Sequence, residues 1–153
     1  MKMNYQKLVD KGLLIKEKIG FDQITKVLKR TNQSLKSART LLRSDDEEGS
    51  FQFAYDAMLL AGRALVFSYG FRPRTIGSHK IVVDFSQEIL GKKFEAITQK
   101  FNKMRKKRNY LIYGIGLTVS ETETRNAIKT AKEFVDQVTD IIHVKNPQKK
   151  FKL

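Results

Sequence analysis

Apolar residues recur at helical spacing along most of this chain. Between residues 22 and 43 they fall three or four positions apart, which predicts a long helix with one buried face. That face comprises Ile24, Val27, Leu28, Thr31, Leu35, Ala38, Leu41 and Leu42. Because an apolar face must be covered by another element, the pattern constrains the chain to pack helix against helix.

Five further segments show helical spacing and are separated by turn residues. The predicted helices cover residues 2–11, 50–68, 79–90, 93–113 and 121–143. No segment shows convincing strand alternation, and short connections favour antiparallel neighbours. The sequence therefore predicts an all-α fold, an up-and-down antiparallel helical bundle with four main helices and accessory ones.

Polar residues and glycines mark the ends of these predicted helices. Asp22 and Ser78 are predicted N-caps, and Ser120 with Glu123 matches the capping-box pattern. Gly114 and Gly116 are predicted to end the helix of residues 93–113. The acidic run of residues 44–49 is predicted to be a loop. Gly62, among the alanines of the third helix, permits close contact with a neighbouring helix.

Length and composition bound the class of protein. A chain of 153 residues suits one domain, here 1–153, with residues 1–20 as an N-terminal extension and 144–153 as a basic tail. The lack of cysteine excludes disulfides and thiolate metal sites. No apolar run approaches the roughly 20 residues of a membrane span, and no signal peptide precedes the first helix. We expect a soluble cytoplasmic protein without a membrane partner.

The formal net charge of +14 is unevenly distributed. Residues 92–108 carry eight lysines and arginines against a single acid, Glu95. Such clustering indicates a surface for a polyanion. The alternative is that lysine richness serves stability and solubility, as in thermophilic proteins. Charge alone does not distinguish RNA from DNA or from an acidic protein.

A charged residue interrupts the apolar face of the fifth predicted helix. The positions Phe94, Ile97, Phe101 and Met104 place residue 108 next in the buried stripe, and that residue is Arg108. A guanidinium keeps its charge and is costly to bury unpaired, so an anion should face it. Either a carboxylate of the fold, Asp56 or Asp84, or a phosphate from outside could be that anion.

Other polar residues extend this candidate site. Arg105, Asn109 and Tyr113 follow one another at intervals of four and form a row along the edge of the apolar stripe. Arg105, Lys106 and Lys107 are interpreted as a solvated basic face that attracts RNA. The predicted loop of residues 71–78 and the helix start after it supply a second basic group, which comprises Arg72, Arg74, His79 and Lys80. His79 is interpreted first as a capping or loop-packing residue.

The sequence lacks the common cofactor and metal motifs. It contains no Gly-rich phosphate loop, no metal-spaced His or Cys cluster and no Gly-x-Ser-x-Gly element. We therefore expect neither a metal site nor a cofactor. With only two histidines, His79 and His143, the stretch around Arg108 is the main candidate for chemistry.

Residues 108–113, Arg-Asn-Tyr-Leu-Ile-Tyr, resemble a variant of the HEPN motif, in which Arg and often Asn are followed a few residues later by His. Residues 54–65 are similar to the second bundle helix of prokaryotic HEPN proteins. Residues 78–85 and the cap at 120–123 are similar to the segments that follow. The resemblance covers about residues 22 to 143, and the order of these pieces is more specific than any one of them.

The resemblance implies an all-α bundle that dimerises with its motif helices facing each other across a shared cleft. Many HEPN proteins are metal-independent endoribonucleases, and many are toxins whose antitoxin is a minimal nucleotidyltransferase. By this resemblance Arg108 would stabilise charge on a scissile phosphate and Asn109 would orient the site. Independently of the resemblance, we expect that Asp56, on a neighbouring helix, could orient Arg108. The motif histidine would exchange protons with the 2′-hydroxyl or the leaving oxygen.

Tyr113 stands where the motif has histidine. A phenol titrates near pH 10 and is a poor base at neutrality, although it can donate a hydrogen bond or proton to a phosphate oxygen. Three functions follow: an RNA-directed endoribonuclease or toxin, a non-catalytic HEPN dimer that binds nucleotide, RNA or a partner, and a dimeric scaffold with solvating charge. The resemblance also suggests that a partner transferase attaches a nucleotide to Tyr110 or Tyr113.

Overall fold

The computed structural model describes residues 5–114 and 118–146, and these form a bundle of helices. The helices are α1 Gln6–Asp10, α2 Phe21–Arg43, α3 Glu47–Ser68, α4 Ser78–Leu90, α5 Glu95–Ile112 and α6 Glu121–Lys145. A 3-10 turn, Lys92–Phe94, leads into α5, and two short strands are β1 Leu14–Lys16 and β2 Phe71–Pro73. The predicted all-α bundle is confirmed.

Helix α3 is the centre of the bundle. It packs against α2, α4, α5 and α6. Its buried residues cover more than half of its circumference, and the remaining side, with Asp56 and Arg63, is partly exposed. The buried residues are Ser50, Phe51, Ala54, Tyr55, Ala57, Met58, Leu59, Ala61, Gly62, Ala64, Leu65 and Val66. A polar side chain on the buried surface must therefore find its partner inside the fold.

Gly62 is the point of closest approach between α3 and α4. A Cβ atom at this position would collide with the side chain of Val82 and would lie 3.2 Å from Ser86 Oγ. The predicted role of Gly62 in helix contact is thus confirmed. The close approach fixes α4, and with it His79 near its start, against the central helix.

Helix α3 begins earlier than predicted. Asp46 is its N-cap, and its side chain accepts a hydrogen bond from the Gly49 amide at 2.9 Å. The second half of the loop predicted for residues 44–49 is therefore helical. Glu47 and Glu48 lie in the first turn, where negative charge is favourable. Ser50 is buried one turn inside and donates to the Ala38 carbonyl oxygen at 2.6 Å, which ties α3 to α2.

Two other predicted caps are also wrong. Gly20 occupies the N-cap of α2, so Asp22 lies in the first turn. Gly77, in a left-handed conformation with φ 72°, occupies the N-cap of α4, and Ser78 is already helical. In contrast, the capping box at the start of α6 is confirmed, with Glu123 N donating to Ser120 Oγ at 3.0 Å.

The prediction that no strand occurs was wrong. Strands β1 and β2 pair antiparallel, with Ile15 opposite Arg72. Each strand has three residues, too few for the alternation that identifies strands in a sequence. Glu17 and Arg72 add an ion pair of 3.3 Å beside the ladder. The sheet joins the N-terminal extension to the segment that leads into α4.

Some predictions fall outside the described ranges. These are residues 2–4 of the first predicted helix, Gly116, and residues 147–153 of the predicted basic tail. The part of the tail that is described continues α6 to Lys145, with Asn146 as its C-cap. None of the helices in residues 5–114 and 118–146 combines the length and the apolar character needed to cross a membrane.

Candidate functional site

Arg108 lies against an aromatic ring of the central helix. Its Cζ atom is 5.8 Å from the centroid of the Tyr55 ring, a cation–π contact between α5 and α3. No carboxylate in residues 5–114 and 118–146 forms an ion pair with Arg108. Asp84, one of the two predicted acids, pairs instead with Lys80 at 2.8 Å. The guanidinium is therefore held by a ring and keeps its hydrogen-bonding capacity for an anion.

Tyr55 connects Arg108 to His79. The ring of Tyr55 is fully buried and packs on Phe101, with centroids 5.8 Å apart. Its phenol oxygen and His79 Nδ1 share a hydrogen bond of 3.0 Å, whose direction follows the imidazole tautomer. Burial raises the pKa of Tyr55 to about 12, with the nearby arginines opposing the shift, so the phenol is neutral at physiological pH.

His79 is held in its neutral form. Burial lowers the pKa of His79 below its ordinary value, and the positive charges of Arg108, Arg63 and Arg105 lower it further. A neutral imidazole has one ring nitrogen that accepts a proton and one that donates. Since Tyr55 engages Nδ1, the Nε2 atom is the one left for other chemistry.

Three arginines surround this pair. Arg63 of α3 and Arg105 and Arg108 of α5 all act electrostatically on both Tyr55 and His79. We call this group, together with Tyr55, His79 and Asp56, the arginine cluster. It contains three permanent cations and one carboxylate. Such a concentration of positive charge favours an anion with more than one negative oxygen, for which a phosphodiester is suited.

Asp56 is the carboxylate of the arginine cluster. It is half-buried, and burial raises its pKa, while the positive charges of Arg108 and Arg63 oppose that rise. Among the described residues Asp56 forms no ion pair with either arginine. Its charge therefore offsets only part of the positive potential of the three arginines in the part of the chain that the structure describes.

The other motif residues lie farther along α5. Asn109 is half-buried one position after Arg108, and its carbonyl accepts from the Tyr113 amide at 3.2 Å. Tyr113 is the C-cap of α5, and 76% of its surface is exposed. Within the described ranges its phenol makes no hydrogen bond. Arg105 donates from Nε to Asn102 Oδ1 at 3.1 Å, which holds it along the helix.

The last turn of α5 carries an exposed apolar patch. Tyr110 and Ile112 are 50% and 48% exposed, and Tyr113 adjoins them. Exposed aromatic and aliphatic side chains beside a charged cluster are typical of a protein interface. We call Tyr110, Ile112 and Tyr113 the α5 end patch.

Several predicted phosphate-binding residues have partners in the fold. Lys107 Nζ lies 2.6 Å from Glu123 Oε2 and links α5 to the start of α6. Lys80 is paired with Asp84, and Arg72 with Glu17.

Of the remaining predicted residues, Arg74 donates from Nε to the Ile76 carbonyl at 3.0 Å, and Lys106 is exposed. The structure thus brings Arg105 and His79 to Arg108, while it places Arg72, Arg74 and Lys80 in contacts of their own.

The site predicted from the sequence does not include two members of the arginine cluster, Tyr55 and Arg63. The available signal was the phenol of Tyr55 among the apolar residues of the third predicted helix, because a buried hydroxyl needs a partner. Arg63 lies about two turns after Asp56 and so shares its helix face. In residues 5–114 and 118–146, no group of three or more His, Asp or Glu side chains could hold a metal ion.

Comparison with known proteins assigns the fold. The HEPN domain model matches residues 24–141, which include the arginine cluster and the α5 end patch. Comparison with curated proteins gives no match. The match spans most of the chain and agrees with the helical bundle. The chain belongs to the HEPN domain family.

Proposed function

We propose that this HEPN protein acts on RNA as a cytoplasmic homodimer, with α5 of each subunit lining a shared cleft. The observation that carries the proposal is Arg108, a cation that lies on Tyr55 and has no carboxylate partner in the described residues. Arg63 and Arg105 add charge beside it. In the proposed complex a phosphate of RNA supplies the missing anion.

The α5 end patch supports a dimer about this helix. Tyr110, Ile112 and Tyr113 would pack against the same residues of a second subunit, as an isologous interface requires. Such packing would bring two arginine clusters to one cleft and remove apolar surface from water. Sedimentation of wild type and of Ile112→Glu tests this point, and an unchanged dimer in the variant argues against this interface.

The reaction we propose is metal-independent cleavage of RNA. The 2′-oxygen forms a bond to phosphorus, its proton passes to a base, and the bond from phosphorus to the 5′-oxygen breaks. Arg108 stabilises the negative charge that develops on the phosphate oxygens, and Asn109 positions the phosphate. Tyr113, a neutral phenol, donates a hydrogen bond or a proton to the leaving oxygen.

Substitution of Arg108 tests the nuclease proposal. We expect Arg108→Ala to abolish cleavage of an RNA oligonucleotide in the presence of EDTA while the circular dichroism spectrum is unchanged. Arg30→Ala is the matched control, because it removes the same charge from an exposed position of α2. Equal cleavage by wild type and Arg108→Ala would overturn the assignment.

A non-catalytic dimer that binds RNA or nucleotide is the second candidate. Tyr113 in place of the motif histidine favours it, because a phenol is a poor base at neutral pH. This function predicts retention of RNA without cleavage and an affinity that falls steeply with salt, since several phosphates are neutralised. If wild type forms cleavage products and Arg108→Ala does not, the non-catalytic function is excluded.

A minimal nucleotidyltransferase is the proposed protein partner, with the HEPN chain as the toxin. Co-expression with an adjacent transferase gene should relieve toxicity if the pair is a toxin–antitoxin system. Tyr110 and Tyr113 are the exposed phenols at which such a partner would add a nucleotide. A mass spectrum of the co-expressed chain without added nucleotide mass would remove the modification from the proposal.

A further inference from the structure

His79 and Arg108 approach the same ring from different helices. His79 Nδ1 shares a hydrogen bond of 3.0 Å with the Tyr55 phenol, and Arg108 lies over the Tyr55 ring at 5.8 Å. Both residues are half-buried, and Tyr55 is fully buried between them. The ring thus holds an imidazole and a guanidinium in one array.

This array has the components that RNA cleavage needs. Arg108 can bind a phosphate oxygen, and the Nε2 atom of His79 can exchange a proton beside it. The imidazole is neutral because burial and the three arginines lower its pKa, so it can accept a proton at pH 7. A phenol is in general a poor proton acceptor at that pH.

We propose that His79 is the proton acceptor for RNA cleavage at the arginine cluster, in place of the histidine that the HEPN motif lacks in this chain. The inference rests on the proposed nuclease function. The step uses the neutral tautomer in which Nδ1–H of His79 donates to the Tyr55 oxygen and Nε2 is unprotonated. Nε2 takes the proton of the 2′-hydroxyl as the 2′-oxygen bonds to phosphorus. The bond to the 5′-oxygen then breaks, and this oxygen takes a proton from Tyr113 or water.

Tyr55 is the positioning residue of this proposal. Its phenol holds the imidazole through Nδ1 and leaves Nε2 without a bond to Tyr55. The charged groups that act on His79 are Arg63 from α3 and Arg105 and Arg108 from α5, while Asp56 of α3 acts on Tyr55. On α4 itself, Lys80 and Asp84 neutralise each other in an ion pair. Burial lowers the pKa of His79 most, and an anion bound in the cluster would offset the additional lowering by the three arginines.

Binding of a phosphodiester should raise the pKa of His79, because its negative charge offsets the arginines. The probe is a 2′-O-methyl oligouridine, which carries phosphates but cannot be cleaved by this route. NMR of the imidazole resonances measures the shift, and the chain has only two histidines to assign. We expect a rise of about one unit for His79 on binding. His143, in the last turn of α6, should not respond.

The Arg108→Ala variant distinguishes binding at the arginine cluster from nonspecific electrostatic attraction of the oligonucleotide. Without the probe, we expect the pKa of His79 to rise in this variant, because one of the charges that lower it is removed. With the probe, the further rise should be lost. A His79 pKa that is the same with and without bound oligonucleotide in wild type would overturn the proposal.

Kinetics supply the second test. We expect His79→Gln to reduce kcat by about 10²- to 10⁴-fold and to remove the acidic limb of the pH profile. Tyr55→Phe keeps the aromatic ring under Arg108 but removes the hydroxyl that bonds to His79. We expect it to shift the acidic limb of the pH profile, which a loss of packing alone would not do. His143→Gln, the control, should cleave as wild type does. Circular dichroism and thermal unfolding check that each variant is folded.

The outcomes distinguish the two proposals. Cleavage by wild type that persists unchanged in His79→Gln overturns the role of His79 and leaves the nuclease function standing. A folded wild-type dimer that does not cleave RNA overturns the nuclease function, and the role of His79 with it. Loss of cleavage in His79→Gln with an unchanged pH profile in Tyr55→Phe overturns the positioning role of Tyr55.

Discussion

Lys107 Nζ lies 2.6 Å from Glu123 Oε2, so the helix that carries Arg108 is joined to the capping box of the following helix. The hydrogen bond from Lys107 lowers the pKa of Glu123 below its ordinary value. A carboxyl whose folded-state pKa is lowered contributes stability above its unfolded pKa and loses it as pH falls. The connection between α5 and α6 should therefore weaken in acid.

Substitution of Ser120 tests the capping box. Ser120→Ala removes the oxygen that accepts from the Glu123 amide, and we expect it to lower the free energy of unfolding by about 1 kcal/mol. Urea denaturation at pH 7 measures the change. Ser44→Ala at the end of α2 is the control, because Ser44 lies outside the capping box. No loss of stability in Ser120→Ala would show that the box contributes little.

Two buried serines should respond to the same substitution with opposite signs. Ser86 Oγ is buried and has no hydrogen-bond partner among the described residues, so Ser86→Ala should stabilise the chain by about 1 kcal/mol. Ser50 donates to the Ala38 carbonyl oxygen, so Ser50→Ala should destabilise it by about 1 kcal/mol. Thermal unfolding of the two variants side by side provides the measurement, and equal shifts in one direction would contradict the prediction.

Gly62 should not tolerate even one additional methyl group. Gly62→Ala introduces a Cβ that collides with Val82, and we expect a loss of about 1–3 kcal/mol from overpacking. Gly20→Ala is the matched control, because no neighbouring atom lies within 4 Å of a Cβ built there. Its effect should be much smaller. Chemical denaturation measures both variants, and similar losses would refute the close approach of α3 and α4.

The stability of the chain should depend on the protonation of His79. Because its folded-state pKa lies below its unfolded one, the stability it contributes is complete above about pH 6.5 and declines as pH falls through that value. Wild type should thus lose more free energy of unfolding between pH 8 and pH 5 than His79→Gln does. Identical losses would indicate that the imidazole protonates equally well in the folded and unfolded chain.

Arg108→Lys should separate charge from geometry. Lysine keeps the positive charge but lacks the planar fork that binds two phosphate oxygens and stacks on a ring. We expect the variant to keep most of its RNA affinity at low salt and to lose cleavage by more than about tenfold. Filter binding and cleavage of the same oligonucleotide provide the comparison. Full cleavage activity in Arg108→Lys would mean that a positive charge at this position is sufficient for cleavage, without the planar guanidinium.

Much of the fold follows from helical periodicity, because the apolar faces of α2, α5 and α6 repeat over several turns. The acidic start of α3 does not follow from it. The Ser, Asp and Gly residues in the run 44–49 have low helix propensity. The Asp46 N-cap and the favourable interaction of Glu47 and Glu48 with the helix dipole outweigh this low propensity. The three-residue strands could not be predicted either, because backbone pairing between distant segments fixes them.

The candidate site could be predicted only along one helix. Spacing places Arg105, Arg108 and Asn109 on α5, but it carries no information on what α3 and α4 present to them. His79 lies 29 positions before Arg108 in the sequence and meets it only through the buried ring of Tyr55. Side-chain contacts between non-adjacent helices depend on packing, which a pattern in one segment does not specify.

The small sheet connects the N-terminal residues to the segment that precedes α4. Arg74 N donates to the Leu13 carbonyl oxygen at 2.9 Å beside the β1–β2 ladder, a few residues before α4 begins. The span that the HEPN model matches begins at residue 24 and leaves β1 out. A chain trimmed to that span would lack the strand that pairs with β2. The segment that leads into α4, and with it the start of the helix that carries His79, would lose these backbone hydrogen bonds.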